Sequence, residues 1–185
     1  AKVPSQIIVV LDEAYTEFTK AEERVDSFGL LQKYPNLIIS RSLSKAYGLA
    51  GLRIGYAVSN PEIADLLNRV RQPFNCNSLA LASAVAVMND DVFVEKVAEN
   101  NRLEMKRYET FCQQYGLEYI PSKGNFITID FKQPAQPIYD ALLREGVIVR
   151  PIAGYGMPNH LRISIGLPAE NDRLFDALVK VLNLK

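Results

Sequence analysis

Two short runs, IIVVL at 7–11 and LIIS at 37–40, constrain the fold of this chain more than any other feature. Both are rich in β-branched residues, and neither alternates apolar with polar. A strand that packs on one face only shows such alternation, so these runs predict strands covered on both sides, as in a mainly parallel sheet. A third run, IGYAV at 54–58, follows. Parallel neighbours need a long crossover, and the interval between the first two runs has room for one.

The rest of the chain alternates helix and strand. Asn60 followed by Pro61 is a helix start, and EIADLLNRVRQ carries apolar residues at helical spacing until Pro73. LALASAVAVM at 79–88 predicts a buried helix, about half the length that spans a bilayer. Asp90 and Asp91 cap a long amphipathic helix expected from about Val92 to Tyr115, with Gly116 as its stop. Tyr108 and Phe111 belong to a packed stripe of that helix. Beyond it, LEYIPSKGNFITIDF, IYDALLREG, VIVRPI, LRISIG and ENDRLFDALVKVL read as strand, helix, strand, strand, helix. The fold class is therefore α/β: an incomplete part of a mainly parallel large-domain sheet in residues 1–89, then a small α+β domain in residues 90–185. A nearly complete strand begins by residue 6, which leaves no room for what should precede it, so the chain is expected to be a piece of a larger protein. AKVPSQIIVVLDEAY lacks the cleavage pattern of a signal peptide.

Charge excludes several classes of function. Twenty-one basic residues balance 21 acidic ones, so no overall field directs the chain to nucleic acid, a membrane surface or an acidic partner. His160 is the single histidine and is read as a loop residue in PNHLR. Cys76 and Cys112 are far apart without close-set metal-ligating neighbours; they read as reduced thiols of a cytoplasmic protein, and no metal site is expected.

In open α/β sheets, ligand-binding groups collect beyond the carboxyl ends of strands. Asp12 ends the first run, and Lys45 follows the second by five residues. Neighbouring strand ends would bring this acid and this amine to one crevice. Taken alone, an ordinary salt bridge or two unrelated surface residues is the plainer reading of the pair. The segment RSLSKAYGLAGLRIGY at 41–56 changes the balance. In extended chain, Ser42 and Ser44 turn their hydroxyls to one side, and Arg53 returns across a glycine-rich turn; two hydroxyls and a guanidinium suit a phosphate. Gly48, Gly51 and Gly55 permit close backbone approach to a bulky ligand. A phosphate, a ring nitrogen paired with a carboxylate and a carbonyl captured by an amine together describe pyridoxal 5'-phosphate.

DEAYTEF, SLSKAYGLAGLRIGY, SKGNF, VIVRPIAGYG and HLRISIG occur in this order over essentially the whole chain. Together they resemble the aspartate aminotransferase superfamily of fold type I pyridoxal-phosphate enzymes, and within it the histidinol-phosphate aminotransferases. SLSKAYGLAGLRIGY is the specific element; SKGNF or LRISIG alone is weak. The resemblance implies Lys45 as the Schiff-base lysine and proton carrier, Asp12 as partner of the ring nitrogen, and Tyr15 as donor to the cofactor's phenolic oxygen. It implies Ser42, Ser44 and Arg53 as phosphate ligands. Arg162 would take the substrate α-carboxylate, Arg150 the substrate's phosphate end, and Asn125 would line the substrate site; Tyr155 is a weaker candidate near the pocket mouth.

The resemblance further implies transfer of an amino group between L-histidinol phosphate and 2-oxoglutarate in histidine biosynthesis, by a cytoplasmic homodimer. An aromatic aminotransferase or a threonine-phosphate decarboxylase shares most of these residues. A cofactor-binding sensor module fused to a DNA-binding domain is the non-enzymatic alternative. Complete enzymes of this type have about twice this chain, so the chain alone is expected to be inactive and to hold no cofactor with useful affinity.

Overall fold

The computed structural model describes residues 3–184 and divides into two compact units, with the division between Val97 and Ala98. In the first unit, β1 (Val9–Asp12) runs parallel to β2 (Leu37–Ser42), with Asp12 paired to Ser40. The crossover between them carries α1 (Ser27–Lys33), which Asp26 caps by accepting from the Gly29 amide at 2.9 Å. β3 (Gly55–Ser59) pairs antiparallel to β2, so the sheet, in the order β1-β2-β3, holds one parallel and one antiparallel pair. The third apolar run therefore returns directly from β2 through residues 43–54, without a crossover.

Burial along these strands is uneven. Leu37, Ile38 and Ile39 are all buried, as continuous apolar runs require. β1 differs from the expectation of two covered faces: it forms an edge of the sheet, and Val10 is 61% exposed. α2 (Pro61–Val70) starts as its sequence signals, with Asn60 Oδ1 accepting from the Ile63 amide at 2.8 Å. α3 (Ser78–Val87) is a helix with only one covered side, not the buried helix expected. Ala80 and Ala84 pack with Leu43 and Ile54, whereas Leu79, Leu81 and Val85 are exposed. The alanines let α3 approach the segment after β2 closely, and this small core sits directly beneath that segment.

α4 (Asp91–Gln114) begins where Asp90 Oδ1 accepts from the Phe93 amide at 3.0 Å. It ends at Gly116, whose φ of 64° lets the Leu117 amide return to the Cys112 carbonyl at 2.9 Å. The division of the chain falls inside this helix, beyond the 89/90 boundary read from the sequence. The first turn of the helix packs with the first unit, where the Phe93 ring lies against Gly48.

The second unit is an antiparallel sheet in the order β4-β5-β7-β6, formed by β4 (Glu118–Ile120), β5 (Phe126–Asp130), β6 (Arg150–Pro151) and β7 (His160–Ser164). The VIVRPI run yields only the two-residue β6; Pro151 has no amide with which to extend the ladder. His160 opens β7 rather than lying in a loop; its Nε2 is 3.8 Å from Asp130 Oδ2. One face of the sheet presents Ile127, Ile129, Leu161 and Ile163 to α4, α5 (Ala135–Arg144) and α6 (Pro168–Leu182). Tyr108 and Phe111 are buried in this core, with Phe175 at 4.7 and 4.8 Å between ring centroids. By strand alternation the opposite face carries Phe126, Thr128, Arg162 and Ser164.

Candidate active site

The end of β1 and the turn after β2 build the first cluster. Asp12 Oδ1 accepts from the Ala14 amide at 3.1 Å and from the Ser40 hydroxyl at 3.4 Å. Its Oδ2 accepts from no described residue. Past Asp12 the chain tightens into a 3-10 turn over Thr16–Phe18, with Tyr15 at its entry. Lys45 Nζ stands 5.5 Å from the Tyr15 ring centroid, within cation–π range. Asp12, Tyr15 and Lys45 thus gather at one strand end.

A turn, not extended chain, sets Lys45 in place. The Ser44 amide donates to Ser42 Oγ at 3.1 Å, the Leu49 amide to the Leu43 carbonyl at 2.9 Å, and the Gly48 amide to the Lys45 carbonyl at 3.0 Å. The extended geometry expected for Ser42 and Ser44 is therefore corrected. A serine oxygen two residues before an unpaired amide closes a local turn, and the strand stops at Ser42. Ser42 accepts through its oxygen and retains its hydroxyl proton for a ligand. Across the ladder Ser42 faces Gly55, where a Cβ would come within 2.6 Å of the Arg41 carbonyl, so only glycine allows this approach.

Arg53 lies between these elements with φ 55° and ψ 51°. A non-glycine residue in this left-handed region is disfavoured by roughly 1 kcal/mol or more. Its Nη1 donates to the Ala50 carbonyl at 3.0 Å, and the side chain is exposed with further donors available. Strain retained at an arginine, where glycine would relieve it, points to a use for the guanidinium.

Beneath this cluster lie buried polar pairs that sequence reasoning missed. Arg41 Nε and Nη2 both donate to Glu13 Oε2, at 3.0 and 2.8 Å, with side-chain exposures of 21% and 8% for Arg41 and Glu13. The Phe28 ring centroid lies 5.0 Å from the guanidinium carbon. Burial pulls the Arg41 pKa down, but hydrogen bonds to Glu13 and Tyr56 outweigh it and leave the pKa raised. Glu17 is also buried, and burial lifts its carboxyl above the ordinary value. Tyr47 hydrogen-bonds to it and is pushed up to about 12, by burial first and then by the Glu17 charge. Glu13 and Glu17 bracket Tyr15; Arg41 and Tyr47 bracket Ser42, Ser44 and Lys45. Each functional segment is therefore stapled to the other by a buried pair. The available signal was the two glutamates that follow Asp12 inside DEAYTEF, interleaved with Ala14, Tyr15 and Phe18.

The second unit carries its own set. The register places Arg162 opposite Thr128 on one side and Arg150 on the other, so Arg150 and Arg162 share a face. The Arg162 guanidinium carbon is 5.0 Å from the Phe126 ring centroid, and its buried Nε has no hydrogen-bond partner among the described residues. Asn125 is half-buried and immediately precedes β5, where its carbonyl accepts from the Ile165 amide at 2.9 Å. Two guanidiniums on one sheet face suit an anionic ligand. Tyr155 lies in a 3-10 turn and is 69% exposed.

Residues 2–178 match the aminotransferase class I and II family. The chain belongs to this family. It is 86% identical over 182 residues to histidinol-phosphate aminotransferase 2 of Haemophilus influenzae strain 86-028NP, covering 98% of this chain and 50% of that protein. It is 82% identical over 185 residues to histidinol-phosphate aminotransferase 1 of Mannheimia succiniciproducens, covering 100% of this chain and 50% of that protein. The crystal structure of histidinol-phosphate aminotransferase from Sinorhizobium meliloti in complex with pyridoxal-5'-phosphate matches with a TM-score of 0.88 at 32% identity, covering 98% of this chain and 50% of that one. This aminotransferase chain thus spans about half the length of the relatives it matches. Among its described residues no helix is long and apolar enough to cross a membrane, and no group of metal-ligating side chains gathers.

Proposed function

We propose that this chain forms part of a pyridoxal-phosphate-dependent aminotransferase that moves an amino group between L-histidinol phosphate and 2-oxoglutarate. One observation carries the reading: Lys45 Nζ lies over the Tyr15 ring, beside the strand end that holds Asp12, in a chain 86% identical to a protein named for that reaction. The donor set fits the cofactor. Asp12 Oδ2 has no partner among the described residues and can face a protonated ring nitrogen. The Ser42 hydroxyl proton and the uncommitted N–H groups of Arg53 suit a phosphate.

When bound, pyridoxal phosphate supplies an aldehyde that captures amines and a ring that accepts the electrons released at the substrate Cα. In this reading Lys45 anchors it and then carries the proton that leaves Cα, a positioned transfer commonly worth about a hundred- to ten-thousandfold in rate. Asp12 keeps the ring nitrogen protonated. Tyr15 donates to the phenolic oxygen, while Ser42, Ser44 and Arg53 hold the phosphate. Arg162 would hold the α-carboxylate of 2-oxoglutarate and of the glutamate formed from it as a bidentate partner, Arg150 the phosphate end of L-histidinol phosphate, and Asn125 would line the substrate site. The whole protein is taken to be a cytoplasmic homodimer; the exposed leucines and valine of α3 are the kind of surface that a subunit contact covers.

The test is turnover by the full-length protein with L-histidinol phosphate and 2-oxoglutarate, followed as glutamate. Glutamate formed in proportion to the amino donor consumed supports the reading. Release of carbon dioxide from L-threonine phosphate, with no glutamate formed from L-histidinol phosphate, would assign the chain to a decarboxylase instead.

A further inference from the structure

Asparagine is a poor residue for a helix interior, disfavoured relative to alanine by roughly 0.7 kcal/mol. Yet α4 carries two in succession, Asn100 and Asn101, well inside its 24 residues. Each is spent on a distant backbone carbonyl. Asn101 is 6% exposed, and its Nδ2 donates to the Gly124 carbonyl at 3.1 Å. Asn100 Nδ2 donates to the Gly166 carbonyl at 3.1 Å. Neighbouring residues of a helix point about 100° apart, so the pair reaches two different segments.

Those two segments flank Asn125. Gly124 is the residue before it, and its amide is fixed by Ser122 Oγ at 3.1 Å. On the other side, the Ile165 amide donates to the Asn125 carbonyl, and Gly166 is the next residue. Gly166 is held at both ends of its backbone by Asn171 of α6. Its amide donates to Asn171 Oδ1 at 3.0 Å, and its carbonyl accepts from Asn171 Nδ2 at 3.1 Å. Asn171 is in turn locked by the Tyr108 hydroxyl at 2.8 Å and by Glu104 Oε2 at 2.6 Å, and Arg107 closes the chain on Glu104 at 2.8 Å. Asn101 thus holds the peptide before Asn125, and Asn100 and Asn171 hold Gly166 beside the Ile165 amide that bonds the Asn125 carbonyl. Asn101 contributes most directly to that grip, and it does so while leaving its Oδ1 buried without a hydrogen-bond partner among the described residues.

We propose that Asn101 is a positioning residue of the substrate site: through the Gly124 carbonyl it sets the backbone from which Asn125 meets the substrate, while Asn100 and Asn171 hold Gly166, the neighbour of the Ile165 amide that bonds the Asn125 carbonyl. The inference rests on the reading of Asn125 as a substrate-site residue. A leucine at position 101 has nearly the same shape, removes the donor to Gly124 and also removes the unpartnered oxygen.

The experiment is a double-mutant cycle in the full-length holoenzyme, using Asn101→Leu, Asn125→Ala and the double variant. The readouts are the apparent dissociation constant for L-histidinol phosphate, taken from the change in cofactor absorbance, together with cofactor occupancy and the thermal midpoint. Each single variant is expected to weaken L-histidinol phosphate binding about fivefold, the loss of one hydrogen bond, at unchanged cofactor occupancy. The double variant is expected to be no weaker than Asn125→Ala alone, since Asn101 acts through Asn125. Additive losses, or an Asn101→Leu effect confined to the thermal midpoint, overturn the proposal. If Asn125→Ala leaves binding unchanged, the reading of Asn125 falls first and the proposal with it. Should Asn101→Leu fail to fold, Asn101→Ser, which leaves only a short hydroxyl, goes through the same cycle under the same criteria.

Discussion

Replacing Glu13 by glutamine tests whether the strand-end cluster depends on the buried pair beneath it. Glutamine keeps the shape and one acceptor oxygen but removes the charge that faces Arg41. Two guanidinium nitrogens now share one carboxylate oxygen, at 2.8 and 3.0 Å, and only 8% of the Glu13 side chain meets solvent. Removing one member of a fully buried pair costs about 3–5 kcal/mol, because the remaining charge stays desolvated. Arg41 keeps 21% side-chain exposure, which favours the lower end, about 3 kcal/mol. With a urea m-value of about 2 kcal/mol per molar, the midpoint of unfolding should fall by about 1.5 M. The assay is urea unfolding followed by circular dichroism, with Arg41→Met and the double variant completing a cycle. The double variant should lose less than Glu13→Gln alone, because no unpaired guanidinium remains buried. A midpoint shift under about 0.5 M, or a double variant that shows the sum of the single losses, refutes the reasoning.

Glu17 gives a pH-dependent counterpart. Burial raises its folded pKa above 4.5, against the opposing pull of a backbone hydrogen bond, Arg41, Tyr47 and Arg24, so the folded state keeps this proton to higher pH than the unfolded chain does. Its stabilising contribution is complete below the unfolded value and is lost as pH rises through the raised folded value. Glu17→Gln should therefore gain stability relative to the parent as pH rises from about 4.5, measured as the difference in urea midpoints; an unchanged difference contradicts this. At Arg53, replacement by glycine should relieve the left-handed backbone and stabilise the fold by up to about 1 kcal/mol, while cofactor affinity drops at least about tenfold in a fluorescence titration. Undiminished affinity would remove Arg53 from the phosphate site.

The local signals of this chain were legible because they act over a few residues. Asn60 with Pro61, Asp90 before α4 and Gly116 after it each do what their side chains and dihedral preferences dictate. The apolar run of β2 and the aromatic stripe of α4 were equally plain, since period and composition encode burial there. α1 was not anticipated, being a short helix with little periodicity behind an Asp26 cap. The exposure of β1 and of α3 was also hidden, because a run of apolar residues states what should be covered and not what covers it. The turn at Ser42 depended on a choice between two local hydrogen-bond patterns that the same sequence permits.

The candidate site divides in the same way. Lys45, Arg53 and the glycines were visible as one contiguous motif. Glu13 meets Arg41 across 28 residues, Asn101 meets Gly124 across 23 and Asn100 meets Gly166 across 66, so no spacing rule reaches them. They became apparent only when the sheets and α4 fixed which carbonyls and carboxylates lay buried within reach.

The central claim is covalent, and chemical trapping tests it most directly. The full-length protein is incubated with pyridoxal phosphate, reduced with borohydride, digested and mapped by mass spectrometry. The phosphopyridoxyl group should be found on Lys45, and the Lys45→Ala protein should carry none despite an unchanged circular dichroism spectrum. Attachment to a different lysine, or equal labelling of the variant, would contradict the account.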